Sequence, residues 1–336
     1  MATTVNTPAQ AVAEARQRAA EELKQRRGAT TILAPEDVRG EYDAGRLLMT
    51  TLGGTPRVLT NDDLRQFAHQ AKQLGKRFTG GITARQVIDM SLPDRRSRAN
   101  EQIRFAVPME FKGGRLHLVT NAGPDSKSLR HHVHVEFLNY TAAVASPSKM
   151  ADIAKTLTTG PLRFDCDCGD HRFRFRYIAT VGKYNAGRAE PGFPKITNPT
   201  LQMHGVACKH VIRVMHSLSQ PILRKKVEEM VMAGRGDLAA KTRRVTKKEA
   251  EQIAIDQQKR ANWQRSQVES TADRNARLAQ ARAMKTVAER GAAAPKPAGE
   301  AQKKAARSEF EASLAKMVKL KMITQKKADK MLKEAK

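Results

Sequence analysis

The stretch Phe164-Asp-Cys166-Asp-Cys168-Gly-Asp170, together with the later Gly205-Val-Ala-Cys208-Lys-His210, contains all three cysteines of the 336-residue chain. A histidine follows the third cysteine after one intervening residue. Three thiolates and one imidazole form closed tetrahedral sites of the kind that suit structural zinc. The sequence therefore predicts one zinc ion bound by four ligands: Cys166, Cys168, Cys208 and His210. The alternative is that the three thiols are buried or idle, since spacing alone does not prove a site.

The residues around these ligands predict the local fold of the site. Residues 161 to 164 have the composition of a short strand, and Gly169 permits a tight turn after the first cysteine pair. The segment from Arg172 to Tyr177 alternates strictly between arginine and an aromatic residue, which predicts a second strand with arginines along one face. Residues 208 to 218 have helical spacing. We therefore expect a β-β-α unit clamped by one ion.

With these ligands the chain resembles the SWIM-type zinc finger family, whose pattern is Cys-x-Cys, a spacer and Cys-x-His on a β-β-α core. The resemblance implies a structural zinc ion and a role in DNA or protein binding. One departure is the spacer, residues 169 to 207, which is longer than the family's and includes an irregular insertion from Lys183 to Gly205, rich in glycine and proline. The residues around the motif are also similar to those of uncharacterised SWIM-type proteins encoded by tailed bacteriophages.

The charge of the chain indicates the class of its partner. There are 61 Lys and Arg against 34 Asp and Glu, which gives a formal charge of +27 and a pI of about 10.4. Such a balance favours a polyanionic partner, and we predict nucleic acid, with DNA favoured over RNA. The candidate phosphate contacts are basic residues of the zinc unit: Arg172, Arg174, Arg176, Lys209 and Arg213. The alternative is that the arginine row only keeps an exposed strand edge soluble.

Other features of the sequence limit where the protein acts. No apolar run approaches the roughly 20 residues of a membrane span, and the amino terminus, Met-Ala-Thr-Thr, lacks the apolar core of a signal peptide. Cysteines that are assigned to a metal fit a reducing compartment. We therefore expect no membrane association and a cytoplasmic location, which for a phage-encoded protein is the bacterial host cytoplasm or the virion.

Periodicity and turn signals divide the chain into six segments of an α+β protein. An N-terminal helical arm (1–29), expected to pack on a partner, precedes an α+β body (30–160) with an antiparallel sheet. The SWIM-like zinc unit (161–220) is followed by a long, basic helical C-terminal region (221–291). A linker (292–299) then leads to a C-terminal helical hairpin (300–336).

Local patterns support individual elements within these segments. Two alternating runs around Gly113-Gly114 predict a β-hairpin in the body. The patterns that begin at Thr7 and Thr246, each with Gln or Glu three residues later, predict capping boxes at helix starts. These signals fix where elements begin and turn, and they favour an antiparallel sheet with a few helices.

A histidine-rich strand raises the question of catalysis. His132-Val-His134-Val-Glu136 places both histidines and the carboxylate on one face, where they could hold a divalent metal. A His-apolar-His strand also resembles the metal-binding element of HUH-type nucleases, for which Tyr140 or Tyr177 would be the nucleophile. The alternative is the polar face of a half-buried strand. The sequence lacks a phosphate-binding glycine loop, a Gly-x-Ser-x-Gly elbow and a His-Glu-x-x-His pair, so we expect a non-catalytic protein.

Three functional hypotheses result from these patterns. The first is a non-catalytic, zinc-binding protein of SWIM type that contacts nucleic acid. The second is a structural or assembly protein of a phage particle, in which the terminal helices bind protein partners or a second copy of the chain. The third is a metal-dependent, HUH-like nuclease, which depends on the His132 strand alone.

Overall fold

The computed structural model describes residues 7–26, 31–33, 49–50, 57–58, 61–78, 80–124, 126, 128–190, 193–194, 205–232, 242–259, 266–292 and 299–334. The chain divides into two compact units, Met1–Ala272 and Asp273–Lys336. Parts of three predictions lie outside the described residues. These are the end of the N-terminal helical arm at 27–29, most of the insertion between Lys183 and Gly205, and the linker at 293–298.

The first unit is built on a six-stranded antiparallel sheet. Its strands, in the order β10-β5-β6-β7-β8-β4, are β4 (Ile82–Thr83), β5 (Ala106–Lys112), β6 (Arg115–Asn121), β7 (Arg130–Phe137), β8 (Pro161–Cys166) and β10 (Arg243–Arg244). Two short pairs accompany it: β1 (Thr31–Leu33) with β9 (Phe193–Pro194), and β2 (Met49–Thr50) with β3 (Arg57–Val58). The antiparallel sheet predicted for the body is confirmed.

Thirteen helices lie within the described residues, which confirms the predicted α+β class. They are α1 (Pro8–Arg26), α2 (Asn61–Arg77), α3 (Ala84–Met90), α4 (Pro93–Gln102), α5 (Tyr140–Ala145), α6 (Met150–Thr159), α7 (Arg176–Val181), α8 (Lys209–Leu218), α9 (Pro221–Met232), α10 (Lys247–Gln258), α11 (Thr271–Ala292), α12 (Glu300–Lys319) and α13 (Gln325–Glu334). The capping boxes predicted at Thr7 and Thr246 are both formed.

The hairpin between β5 and β6 turns at two glycines, as predicted. Gly113 and Gly114 have positive φ angles of 53° and 79°, a conformation that costs glycine little. At Gly114 there is a second reason, because a Cβ atom would come within 2.7 Å of the Tyr140 side chain. The turn therefore sets the register of the central strands and lets α5 pack closely against them.

One face of the sheet forms the main core. Val133, Val135 and Phe164 are fully buried on this face, and α8 packs against β7 and β8 there. Because side chains alternate along a strand, Cys166 also points to this face, directly beside Val133 of the neighbouring strand. The core and the predicted metal ligands therefore share one side of the sheet.

The opposite face is covered by α1, which we had expected to pack on a partner. Ala11 is fully buried, and Glu14 makes an ion pair of 2.9 Å with Arg130 of β7. Glu14 also lies 3.8 Å from the Nε2 atom of His132. The helix therefore packs on the sheet of its own chain, where small alanine side chains permit close approach and charged groups make specific contacts.

The strand predicted over Arg172–Tyr177 is wrong. Residues His171–Phe175 form a π-helical turn that continues into α7. The buried positions His171, Phe175 and Ile178 follow a helical period, whereas Phe173 is exposed. Alternation over six residues cannot by itself distinguish a strand from a short helix, because Phe175 and Tyr177 can be buried in either. The segment predicted as a zinc unit thus consists of β8, a helical segment and α8, and is not β-β-α.

The second unit includes a helical hairpin, as predicted for residues 300–336. Helices α12 and α13 pack against each other, with Leu314 and Ala328 buried between them. The connection turns at Lys321, whose φ angle is 57° and whose N–H donates to the Val318 carbonyl at 2.9 Å. The described side chains of α11 are exposed.

Candidate metal centre

The four predicted ligands come together at one end of the sheet. Cys166 is the last residue of β8, and Cys168 lies in the turn that follows. Cys208 precedes α8 as its N-cap residue, and His210 lies in the first turn of that helix. All four are at most 3% exposed, and their ligand atoms lie within 4.8 Å of one another. The cluster joins the end of β8 to the start of the core helix.

The spacing of these atoms fits a single metal ion. In a tetrahedral site with metal–sulfur and metal–nitrogen distances of about 2.3 and 2.0 Å, neighbouring ligand atoms are roughly 3.5–3.8 Å apart. The Sγ atom of Cys208 and the Nδ1 atom of His210 are 4.0 Å apart. The three cysteines are free thiols, and His210 Nε2 is a buried nitrogen without a hydrogen-bond partner among the described residues. Small movements would therefore complete a four-ligand shell.

The electrostatics of the cluster also favour a cation. Burial raises the pKa of the Cys166 thiol well above its ordinary value, and its contacts with Cys168 and Cys208 raise it further. Burial lowers the pKa of His210 and so keeps the imidazole neutral, which is the form that binds metals. A divalent cation would displace the thiol protons and supply the charge that thiolates need in an apolar setting. Four protein ligands complete the shell, so such a site stabilises the fold.

A histidine that sequence analysis missed supports the cluster from outside. The backbone N–H of His171 donates to the Cys168 sulfur at 3.3 Å, and its imidazole Nε2 lies 3.2 Å from the Asp165 carboxylate. Burial alone would lower the pKa of His171, but Asp165 and the Cys208 sulfur raise it to about 9. Hydrogen bonds to the ligand atoms from outside the shell orient the ligands of metal sites, and the His171 N–H makes such a bond to Cys168. The only sequence signal was a histidine three residues after Cys168.

The residue between the first two cysteines connects the site to α1. The Asp167 carboxylate lies 3.0 Å from His131 Nδ1 and 2.7 Å from Arg18 on α1. It also accepts a hydrogen bond from the His132 backbone N–H at 3.0 Å. The His131 ring packs on the His210 ring with centroids 4.4 Å apart. The N-terminal helix therefore helps to hold the ligand turn in place.

The arginine row is not an exposed strand face. Arg176 is buried and binds Asp165 at 3.0 Å as well as Glu22 of α1. Arg172 lies 3.5 Å from Glu22, and Arg174 lies 3.7 Å from Asp170. These side chains neutralise carboxylates around the metal cluster, so the structure does not present them together as a row of phosphate contacts.

The two basic residues predicted on α8 are also engaged within the chain. Lys209 donates to the Gln102 side chain at 2.5 Å. Arg213 is 2% exposed and donates to the carbonyls of Ser266 and Ala99 at 2.6 and 2.9 Å. Helical spacing predicted their helix correctly, but it did not show that α8 is buried on nearly every side, with Arg213 inside the fold.

The histidine strand does not form a metal site with Glu136. His132 and His134 lie beneath α1 with His117 of β6, whose Nε2 is 3.0 Å from His132 Nδ1 and whose ring stacks on His134. Within the described residues, the cysteine cluster is the one group in which ligand atoms of three or more His, Cys, Asp or Glu side chains converge. Tyr140 packs instead on Phe111, with ring centroids 5.4 Å apart. Within the described residues the ligand atoms of this strand do not converge on one metal position, so the HUH-like hypothesis gains no support there and stays a prediction.

No described helix is both long enough and apolar enough to cross a membrane. No protein-family model matches the chain, and neither a curated protein nor a solved structure matches it. The geometry of the centre itself brings together four buried side chains. Their three sulfur atoms and one nitrogen atom could hold one metal ion.

Proposed function

We propose that this chain is a non-catalytic zinc-binding protein that contacts nucleic acid, DNA in preference to RNA. Zinc is the metal that best suits three thiolates and one imidazole in a buried tetrahedral shell, because it needs no open position and no change of oxidation state. The order Cys-x-Cys followed by Cys-x-His supports the resemblance to SWIM-type zinc fingers. The helical segment between the ligand pairs is a departure from that family's β-β-α core.

The observation that carries the nucleic-acid proposal is the exposed positive charge of the second unit. Residues 273–336 contain 17 Lys and Arg against 7 Asp and Glu. The described lysines of α12 and α13 are exposed, whereas the arginines of the zinc unit bind carboxylates of their own chain. Exposed cations on a helix can release counterions from a phosphate backbone, so the contact is proposed for this unit and not for the arginine row.

Two measurements test the proposal. Metal analysis of purified protein should give close to one zinc per chain, and its absence from folded protein would contradict the zinc assignment. Fluorescence anisotropy with a DNA duplex over a salt series should show steep weakening with salt. Replacing Lys326, Lys327 and Lys330 by Gln should reduce the slope of log K against log salt by up to about 3, because each phosphate contact contributes about 0.9.

The matched comparison replaces Arg172 and Arg174 of the zinc unit by Gln. These side chains face carboxylates of their own chain, so DNA affinity should change little relative to the lysine variant. Equal loss of affinity in both variants would indicate that the arginines of the zinc unit also contact DNA. Absence of binding in the wild type would reject the nucleic-acid proposal.

A second candidate function is that of a structural or assembly protein, such as one of a phage particle. It is favoured by exposed apolar side chains on the C-terminal hairpin, including Leu320 and Met322 at 62% and 71% exposure. A two-helix hairpin buries little of its own surface, so such side chains favour contact with another subunit. Light scattering of the wild type and of a Leu320→Glu, Met322→Glu variant tests it, since oligomers that persist unchanged in the variant would reject this role for the hairpin.

A further inference from the structure

A cavity of about 410 Å³ lies in the first unit, between α1 and the sheet face that this helix covers. Its wall on α1 is formed by Val12, Ala15, Arg16 and Ala19. Its wall on strands β5, β6 and β7 is formed by Glu110, Lys112, Arg115, His117 and His134. The volume lies within the range for pockets that bind small molecules, roughly 300–1,000 Å³. None of the four residues of the metal centre lines the cavity, so the two sites are separate.

The strand register arranges the polar side chains of the sheet wall in two rows. His117 of β6 lies directly between Glu110 of β5 and His134 of β7. Lys112 and Arg115 form the next pair along the hairpin of β5 and β6. Because alternate residues of a strand share a face, both rows point to the side of α1. The sheet therefore places two imidazole rings and two cations along one wall of the cavity.

The fold does not use the basic side chains of this lining. Arg16, Lys112 and Arg115 are exposed. None of the three side chains makes a hydrogen bond or an ion pair with another described residue. The cavity therefore offers three cationic groups that remain available to a ligand.

The carboxylates nearby do not cancel this charge. Glu110 is in the lining, but it binds Arg244 of β10 at 2.8 Å. Glu136 lies opposite Arg115 in the register of β6 and β7, but it does not line the cavity and makes no ion pair with Arg115. The lining as described is therefore positively charged.

The two histidines of the lining add neutral hydrogen-bonding groups. His117 is 4% exposed, and its Nε2 atom lies 3.0 Å from His132 Nδ1, so its Nδ1 atom has no hydrogen-bond partner among the described residues. The His134 ring stacks on the His117 ring, with centroids 4.6 Å apart, and neither of its nitrogens has a hydrogen-bond partner in the described part of the chain. Burial and the charge of Arg115 lower the pKa of His134 to about 4, so its ring has one N–H donor and no charge at pH 7. Because polar groups at this depth generally have partners, the unpaired nitrogens indicate a place for a ligand.

We propose that this cavity binds a phosphate ester, with the phosphate held by Arg16, Lys112 and Arg115 and hydrogen-bonded by His134. A phosphate monoester has up to two negative charges and several acceptor oxygens, which suit three cations and an imidazole N–H better than one carboxylate does. The organic group lies against the apolar side chains of α1. The ester is either a free phosphomonoester or a phosphate of a nucleic acid. This site belongs to the first unit and goes beyond the function proposed for the second.

The experiment titrates the full-length protein with uridine monophosphate by calorimetry at low ionic strength. We expect saturable binding that weakens about tenfold in Arg115→Gln, because a hydrogen bond between two charged groups is lost. Inorganic phosphate should bind more weakly, since it makes no contact with the apolar side chains of α1. The matched control is Arg98→Gln, the same change at an exposed arginine of α4 outside the lining. Both arginines are exposed, so both variants should fold.

A second measurement locates the ligand. Uridine monophosphate should shift the imidazole NMR signals of His134, which are assigned by their loss in His134→Gln. It should leave the signals of His69, exposed on α2, unchanged.

Three results would overturn the proposal. They are no binding of uridine monophosphate to the wild type at millimolar concentration, equal weakening in Arg115→Gln and Arg98→Gln, and binding that leaves the His134 signals unchanged. A DNA oligonucleotide separates the two sources of the ester. If it displaces uridine monophosphate, the site takes a nucleic-acid phosphate, and if it does not, the site takes a free ester. The lysine variant of the second unit tests the other proposal independently, so the two can fail separately.

Discussion

The zinc unit, residues 161–220, and the second unit, residues 273–336, are both rich in basic side chains and use them in opposite ways. In the zinc unit Arg176 and Arg213 are each 2% exposed and bind groups of their own chain. In the second unit the described basic side chains project from exposed helices. This comparison shows that a count of arginines and lysines does not by itself indicate a polyanionic partner. Basic side chains that bind groups of their own chain have to be subtracted first.

The largest expected effect comes from removing a metal ligand. His210→Gln should abolish stoichiometric zinc and lower the free energy of unfolding of the first unit by several kcal/mol. The reason is that zinc binding, roughly 10–16 kcal/mol in zinc-finger peptides, is folding free energy. Metal analysis and chemical denaturation measure both quantities. His216→Gln changes the same residue type in the same helix away from the cluster and should retain the zinc. Loss of zinc in both variants would show that α8 as a whole, and not the His210 ligand, decides binding.

The next prediction makes the same substitution in each of the two regions. Arg176→Gln leaves the half-buried Asp165 and Glu22 without their common, buried partner and should destabilise the first unit by about 3–5 kcal/mol. Arg307→Gln in α12 removes an exposed pair with Glu311 and should cost less than about 0.5 kcal/mol. Denaturant unfolding of both variants measures the difference. Similar small effects would mean that the zinc unit does not depend on its inward arginines.

The third prediction concerns pH and the histidines beneath α1. Burial lowers the pKa of His134 to about 4, with Arg115 also lowering it, whereas the unfolded value is about 6.5. Because the folded pKa is the lower one, this contribution to stability is complete above pH 6.5. It is lost progressively as the pH falls to 4, by up to about 3 kcal/mol. Urea unfolding between pH 7.5 and 4.5 should show a smaller decline in His134→Gln than in wild type.

The control for this pH profile is His69→Gln. His69 lies exposed on α2, and its replacement should leave the decline unchanged. Acid also releases zinc from thiolates, so wild type and variants are compared at each pH and only the difference is assigned to His134. A decline of the same size in His134→Gln and wild type would reject the role of His134.

The smallest effects are expected from two threonines. Thr246 caps α10, accepting from the Glu249 N–H, and Thr246→Ala should cost about 1 kcal/mol. Thr286 lies exposed within α11, and Thr286→Ala should change stability by less than about 0.5 kcal/mol. Thermal unfolding of the two variants provides the comparison. A cost at Thr286 equal to that at Thr246 would indicate that α11 is packed as tightly as the first unit.

Several elements could be predicted from the sequence because their causes are local. The hairpin at Gly113-Gly114 depends on backbone conformations that favour glycine, and the caps at Thr7 and Thr246 depend on side chains that bind their own helix starts. The strand over residues 172–177 was predicted wrongly because six alternating residues fit two periods. His171 was missed because its contacts with Cys168 and Asp165 depend on the helical turn that was predicted as a strand. The packing of α1 was missed because it depends on residues far away in the chain.

The sequence by itself determined the four residues of the buried cysteine–histidine cluster, the α+β class and the strong positive charge. These follow from residue types, close spacing and local periodicity. Only the tertiary structure decided that Arg176 turns inward to Asp165, that His132 and His134 lie beneath α1, and that Arg16 and Arg115 meet at one cavity. The physical reason is that burial and ion pairing depend on which distant segments come together. The sequence pattern of one segment does not show which other segments will pack against it.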